Sequence, residues 1–261
     1  MNLVLLTEGT GQGVHGRKTN VSRLYDLLVE GKNQRINLES GPGTHFPRAL
    51  GTFFGRDAAA ILNHHQNWFL NHAPKEGDTR VFLFGFSRGA LIMRVFAEWL
   101  CQRGVPVEYM GLWDTVDSTV SIRGEDYVEL TSNVKFARHA VARDERRKFF
   151  GYLPLLSAPR GEDASGTVEE VVFPGSHSDV GGLYDDNHAI ADVTLDWILE
   201  PALERGLKTH RCSTSTSAFD SSGSDYKIHD SLREPTNAWG ALDPVKRSIE
   251  GVKRHSLCDI I

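Results

Sequence analysis

Four consecutive apolar residues, Val81-Phe82-Leu83-Phe84, run directly into Gly85-Phe86-Ser87-Arg88-Gly89, and a stretch of helical composition from Ala90 to Leu100 follows at once. A short unbroken apolar run is the pattern of a strand buried on both faces. The G-x-S-x-G sequence behind it makes a turn so sharp that both outer positions need glycine, and the serine side chain projects from the end of the strand. Strand, tight turn and helix in that order imply an α/β fold: a mostly parallel sheet with helices on both faces.

The rest of the chain repeats this alternation. Leu3 to Leu6 is a second buried strand, left through Gly9-Thr10-Gly11-Gln12-Gly13. Val21, Leu24, Leu27 and Leu28 recur at helical spacing, with Thr19 or Asn20 placed to cap the start and Gly31 the end. Ile36 to Leu38 is a weaker strand stopped by Gly41-Pro42-Gly43, and Arg56 to His72 is a helix closed by Pro74 and Gly77. Val107 to Trp113 forms a strand ending at Asp114-Thr115-Val116-Asp117, and Val134 to Phe150 an arginine-rich amphipathic helix. Glu169 to Phe173 is a strand before Pro174-Gly175-Ser176-His177-Ser178-Asp179, and Asp192 to Arg205 one more helix. Residues 213–224 are rich in serine and threonine and read as a flexible loop. Residues 225–261, with Pro235, Trp239 and Pro244, read as an irregular C-terminal segment packed on a single domain spanning 1–261.

A formal charge of −5 and a pI of about 6.1 argue against nucleic-acid binding and confine any membrane contact to a local, peripheral surface. Cys101, Cys212 and Cys258 lack the spacing of a zinc site or redox pair and read as structural residues of a chain made in a reducing compartment. The N-terminus has neither the basic start nor the long apolar run of a signal peptide. No apolar stretch approaches the roughly 20 residues that span a bilayer.

A serine hydroxyl is a weak nucleophile at neutral pH, so Ser87 needs a histidine base, and the histidine needs an acid to fix its tautomer. Asp114 ends one strand after the elbow and His177 ends a later one, giving the chain order Ser, Asp, His. Asp117 competes with Asp114 for the acid. His229 is the principal alternative base and His139 a more distant one. Asp179 braces the turn or substitutes as the acid. The Arg88 N–H at a helix start, with one from Gly9 or Thr10, would receive an oxyanion. A rival reading makes the first loop a phosphate cradle, since Gly11 to Thr19 nearly satisfies G-x-x-x-x-G-K-[ST]; Arg17, however, stands where lysine is required. Arg138, Arg143, Arg146, Arg147 and Lys148 read as a solvated helix face with Asp144 and Glu145 as partners, or as a contact for lipid phosphates.

Several motifs occur together: Glu8-Gly9-Thr10 with Thr19-Asn20-Val21, Gly85 to Ala90, Trp113-Asp114-Thr115-Val116, Arg138-His139-Ala140 with Asp144 to Arg147, and Phe173-Pro174-Gly175 with His177 to Gly182. In these the chain resembles the α/β-hydrolase domain family that includes phospholipase effectors of bacterial type VI secretion. The resemblance implies a triad of Ser87, Asp114 and His177, esterase activity on phospholipids without metal or organic cofactor, export by type VI secretion, and an immunity or secretion partner. Two positions depart from the family pattern. Aspartate is usual where Glu8 stands, which bears on the support of the first loop, and an aromatic residue is usual at Leu91, below the elbow. The chain is also little more than the hydrolase domain, so an esterase or thioesterase acting on a soluble substrate, a nucleotide-binding module and an inactive binding protein are the alternatives.

Overall fold

The computed structural model describes residues 1–12, 18–43, 53–74, 78–116, 130–148, 150–155, 166–210, 225–233, 247, 249 and 252–259. Seven strands form one sheet: β1 (Asn2–Thr7), β2 (Gln34–Glu39), β3 (Arg80–Phe86), β4 (Tyr109–Trp113), β5 (Phe136–Ala142), β6 (Thr167–Phe173) and β7 (Lys253–Arg254). The spatial order is β2-β1-β3-β4-β5-β6-β7, and every neighbouring pair is parallel. This is the arrangement of an α/β-hydrolase.

Side-chain alternation divides the core into two layers. Val4 and Leu6 of β1, with Phe82, Phe84 and Phe86 of β3, face one layer, completed by α1 (Asn20–Leu27) and α5 (Ala189–Glu204). Leu3, Leu5, Val81 and Leu83 face the other, under α2 (Phe53–His72) and α3 (Arg88–Cys101). Both faces of the central strands are thus dry, which is why they read as continuous apolar runs. Among the described residues, no helix is long and apolar enough to cross a membrane.

Direction of winding reverses at β1, which lies between β2 and β3. Such a reversal opens a crevice beyond the C-terminal ends of the two inner strands, because the loops leaving them depart in opposite directions. The loop after β1 begins at Glu8 and the elbow after β3 is Ser87, so both candidate regions meet at this crevice.

Three expectations need correction. The segment from Val134 to Phe150 is not a helix: Phe136–Ala142 is β5, paired with β4 and β6, and the described residues from there to Phe150 have no regular structure. Arginine and alanine favour helix locally, but insertion between two parallel strands buries six of the seven β5 residues and overrides that preference. Its basic residues therefore do not form a solvated helix face. Arg138 pairs with Glu169 at 2.6 Å and Glu200 at 3.1 Å, while Arg147 is buried. Thr19 is the N-cap of α1, accepting from the N–H groups of Val21 and Ser22, but the helix ends at Leu27, and Gly31 instead pairs with Gln34 in the turn to β2. The described residues of the C-terminal segment include β7 and short 3-10 turns at Ser231–Arg233 and Ser256–Asp259. The serine-rich stretch 213–224, Cys212, Pro235, Trp239 and Pro244 lie outside the described residues.

Candidate active site

Ser87 follows β3 with φ 59° and ψ −126°, a conformation sparsely populated for any residue with a side chain. The turn is held from both sides. Its N–H donates to the Trp113 carbonyl at 3.0 Å, and its carbonyl accepts from Ala90 at 3.1 Å. A Cβ on Gly89 would stand 2.3 Å from the Glu8 carbonyl oxygen, and one on Gly85 would stand 2.6 Å from the Ala90 Cα. Both glycines of the elbow are required by this approach, and the second lets α3 start directly against the end of β1. A Cβ on Gly9 would lie 3.3 Å from the Ser87 Cβ, so the first loop borders the serine.

Asp114 leaves β4 with φ 39°, the other described non-glycine residue at positive φ. The strained pair follows adjacent strands. Asp114 donates its N–H to the Ala140 carbonyl at 2.8 Å, and its Oδ1 accepts from the Ala142 N–H at 2.9 Å, so β5 fixes both backbone and carboxylate. Thr115 donates its N–H to His139 Nε2 at 2.9 Å, and His139 Nδ1 meets Glu170 at 2.7 Å. With both ring nitrogens occupied, His139 braces the turn that presents Asp114.

His177 opens α4 (His177–Gly181), four residues after β6 rather than at its end. Its Nδ1 lies 2.5 Å from Asp114 Oδ2. That contact requires the proton on Nδ1 and leaves Nε2 as the basic nitrogen of the neutral ring. The imidazole is wedged between two phenylalanines, Phe86 stacked at 4.5 Å and Phe150 edge-on at 4.9 Å. Phe86 is the residue before Ser87, so a single ring stack couples the elbow to the histidine.

The backbone of α4 is held by two carboxylates. Asp179 Oδ2 accepts from the Ser176 N–H at 2.8 Å and its hydroxyl at 2.9 Å, closing a capping box. Glu145 Oε2 accepts from the His177 N–H at 3.2 Å, while its Oε1 accepts from the Ser231 hydroxyl and the Arg147 Nε, each at 2.9 Å. Arg147 also lies over the Phe150 ring, 3.6 Å from its centroid. His229 is turned to Asp179, Nδ1 at 2.6 Å from Oδ1, with Nε2 3.1 Å from Asp186 and its ring stacked on Tyr184. The structure therefore brings together Asp114 and His177 and keeps His229 and His139 on other partners. Asp117 lies outside the described residues, as do residues 13–17, on which the phosphate-cradle alternative depends.

Burial acts on each titratable group. It pushes the His177 pKa down despite the opposing hydrogen bond and charge of Asp114, so the ring is neutral at pH 7. For Asp114 burial alone would raise the pKa, but the Arg247 charge and the His177 hydrogen bond hold it well below the usual carboxylate range. Glu145 is likewise held at about 2, its bonds to Arg147 outweighing burial. Glu8 goes the other way: burial raises it to about 7, against the lowering effect of the Thr19 hydroxyl, which donates to Oε2 at 2.7 Å. Its Oε1 and the Thr10 hydroxyl are buried without a hydrogen-bond partner among the described residues. Among those residues no group of three or more His, Cys, Asp or Glu side chains is arranged to hold a metal ion.

Three participants were not singled out from sequence. Glu145 stands in the Asp144-Glu145-Arg146-Arg147 motif, whose charge suggested a solvated helix face or a contact for lipid phosphates. Phe150 follows it. Arg247, which contacts Asp114, lies in a stretch without any motif.

The family model described as "T6SS, Phospholipase effector Tle1-like, catalytic domain" matches residues 1–105 and 96–201. No curated protein sequence matches the chain. Among solved structures, an uncharacterised protein from Pseudomonas aeruginosa is similar at 17% identity and TM-score 0.55, covering 80% of this chain and 46% of its own. The Tle1 effector bound to the VgrG spike of the type 6 secretion system gives 18% identity and TM-score 0.43, covering 71% of this chain and 52% of its own. A hormone-sensitive lipase from a metagenome library gives 16% and 0.47, covering 78% of each chain. At these identities the likeness is one of fold. The chain spans about half the length of the first two structures.

Proposed function

The chain belongs to the family of Tle1-like type VI secretion phospholipase effector catalytic domains, and we propose that it hydrolyses phospholipid acyl esters with Ser87 as nucleophile, His177 as base and Asp114 as the orienting acid. The observation that carries this reading is the contact of His177 Nδ1 with Asp114 at 2.5 Å, on a ring that also stacks against the residue preceding a strained serine.

In the proposed reaction His177 Nε2 takes the Ser87 hydroxyl proton as Oγ bonds to the ester carbonyl carbon, and the carbonyl π electrons move to its oxygen. The N–H of Arg88, first residue of α3, and one from Gly9 or Thr10 receive that oxyanion. Collapse breaks the acyl carbon–oxygen bond, and the proton on Nε2 passes to the departing lysolipid oxygen. Water then gives its proton to Nε2 and attacks the acyl-enzyme, and the proton returns to Ser87 as the fatty acid leaves. Asp114 keeps Nδ1 protonated throughout and offsets the charge of the imidazolium. Family membership supports delivery through a type VI secretion apparatus.

The test is to incubate the protein and its Ser87→Ala variant with mixed phospholipid vesicles and to identify released fatty acids and lysolipids by mass spectrometry. Release that requires Ser87 is the expected result. Fluorophosphonate labelling of wild type without any lipid hydrolysis would keep the nucleophile and discard the lipid substrate.

A further inference from the structure

Arg247 reaches Asp114 across 133 residues of chain, from beyond the region that carries the family motifs. Its guanidinium grips the carboxylate with two parallel bonds, Nη1 to Oδ1 at 2.7 Å and Nη2 to Oδ2 at 3.0 Å. The three remaining N–H groups are also used: Nη1 donates to the Ala142 carbonyl at 3.0 Å, and Nε and Nη2 donate to the Phe150 carbonyl at 3.1 and 2.6 Å. Five donors find five acceptor contacts, which only the planar fork of arginine can provide. Both side chains are buried, Arg247 at 6% exposure and Asp114 at 0%.

We propose that Arg247 is a positioning residue of the hydrolytic site, locking Asp114 and Phe150 together so that His177 is aimed by one and packed by the other. The proposal rests on the serine-hydrolase reading above. Asp114 Oδ2 accepts from both Arg247 and His177, so a carboxylate without the arginine loses its outer restraint. Phe150 is held by its carbonyl while its ring lies 4.9 Å from His177. A segment outside the matched region therefore completes the geometry around the base.

The arrangement also has an electrostatic consequence. A guanidinium on the far side of Asp114 offsets part of the charge that would otherwise stabilise a protonated imidazole. Among the described residues, Arg147 and Glu145 also act on His177, and Tyr152 lies within the field of Asp114. None of these replaces the two bonds of Arg247.

The test measures the rate of fluorophosphonate labelling against pH for wild type, Arg247→Met and Arg247→Lys, with thermal unfolding recorded for each. Arg247→Met should label about tenfold to a hundredfold more slowly, the scale expected when a base is displaced by an ångström or so. Its rising limb should move upward by up to about one pH unit, because an opposing charge near the imidazole has gone. Arg247→Lys keeps the charge but not the fork, so its rate should fall while the limb stays in place. Wild-type rates and limb in a folded Arg247→Met would overturn the proposal. If that variant does not fold, a wild-type rate in Arg247→Lys overturns it instead. Wild type that never labels would remove the hydrolase reading and the role of Arg247 together, an outcome distinct from equal labelling of all three proteins.

Discussion

Substituting Glu8 by glutamine should change the pH dependence of stability by an amount set by one buried carboxyl. Glu8 is fully buried, and its pKa is raised by that burial from the ordinary 4.5 to about 7. A group whose folded pKa exceeds its unfolded one stabilises the fold below the unfolded value, and that stability is lost as pH rises through the folded value. The Glu8 contribution to stability should therefore fall between pH 4.5 and 7, at ~1.36 kcal/mol for each pH unit, about 3 kcal/mol in all. Glutamine cannot ionise and keeps the side-chain shape, including an oxygen to accept from Thr19. Urea unfolding of both proteins from pH 4.5 to 8.5 isolates the effect, since every other titrating group cancels in the difference. Glu8→Gln should gain on wild type through that window and then hold a constant advantage above it. In a Thr19→Val background the window should extend higher, because the hydroxyl that lowers the Glu8 pKa is gone. A difference independent of pH, or one that grows toward acid, would refute the assignment of Glu8 as a carboxyl kept neutral by burial.

Other outcomes follow from the elbow and its histidine. The rising limb of the wild-type labelling rate against pH should have its midpoint below 6.5, since burial lowers the His177 pKa and the neutral ring is the proposed base; a midpoint above 6.5 would contradict that electrostatics. Ser87→Gly should abolish labelling yet raise the unfolding free energy by about 1 kcal/mol, the strain of a positive φ relieved less the entropy glycine adds to the unfolded chain. Gly181→Ala places a Cβ 2.2 Å from the Phe86 ring, so it should cost about 1–3 kcal/mol in urea unfolding and slow labelling by displacing Phe86 from His177. Asp114→Asn should slow labelling by about four orders of magnitude through the wrong imidazole tautomer, and should cost about 3–5 kcal/mol in urea unfolding because the buried Arg247 loses its counter-charge.

What the sequence determined by itself is local. The apolar run of β3, the two elbow glycines and the helix behind them are written in adjacent residues, because a strand buried on both faces and a turn too tight for a Cβ each demand particular neighbours. Thr19 is legible as a cap for the same reason: it bonds to N–H groups two and three residues away. Strand ends after β3 favoured Asp114 and His177 as candidate acid and base while leaving Asp117, Asp179, His229 and His139 as alternatives, and they did so by chain order, which carries no distance. Only the tertiary structure decided which partner each side chain meets. The segment around Arg138 has a helical composition, yet becomes a strand because its place between β4 and β6 rewards burial and pairing more than propensity. Glu145 looked like one charge in a solvated run and instead holds the backbone of His177. Arg247 has no local signal at all: a bond across so many residues of chain depends on where the C-terminal segment docks, and docking is a property of the assembled surface, absent from the spacing of neighbouring residues.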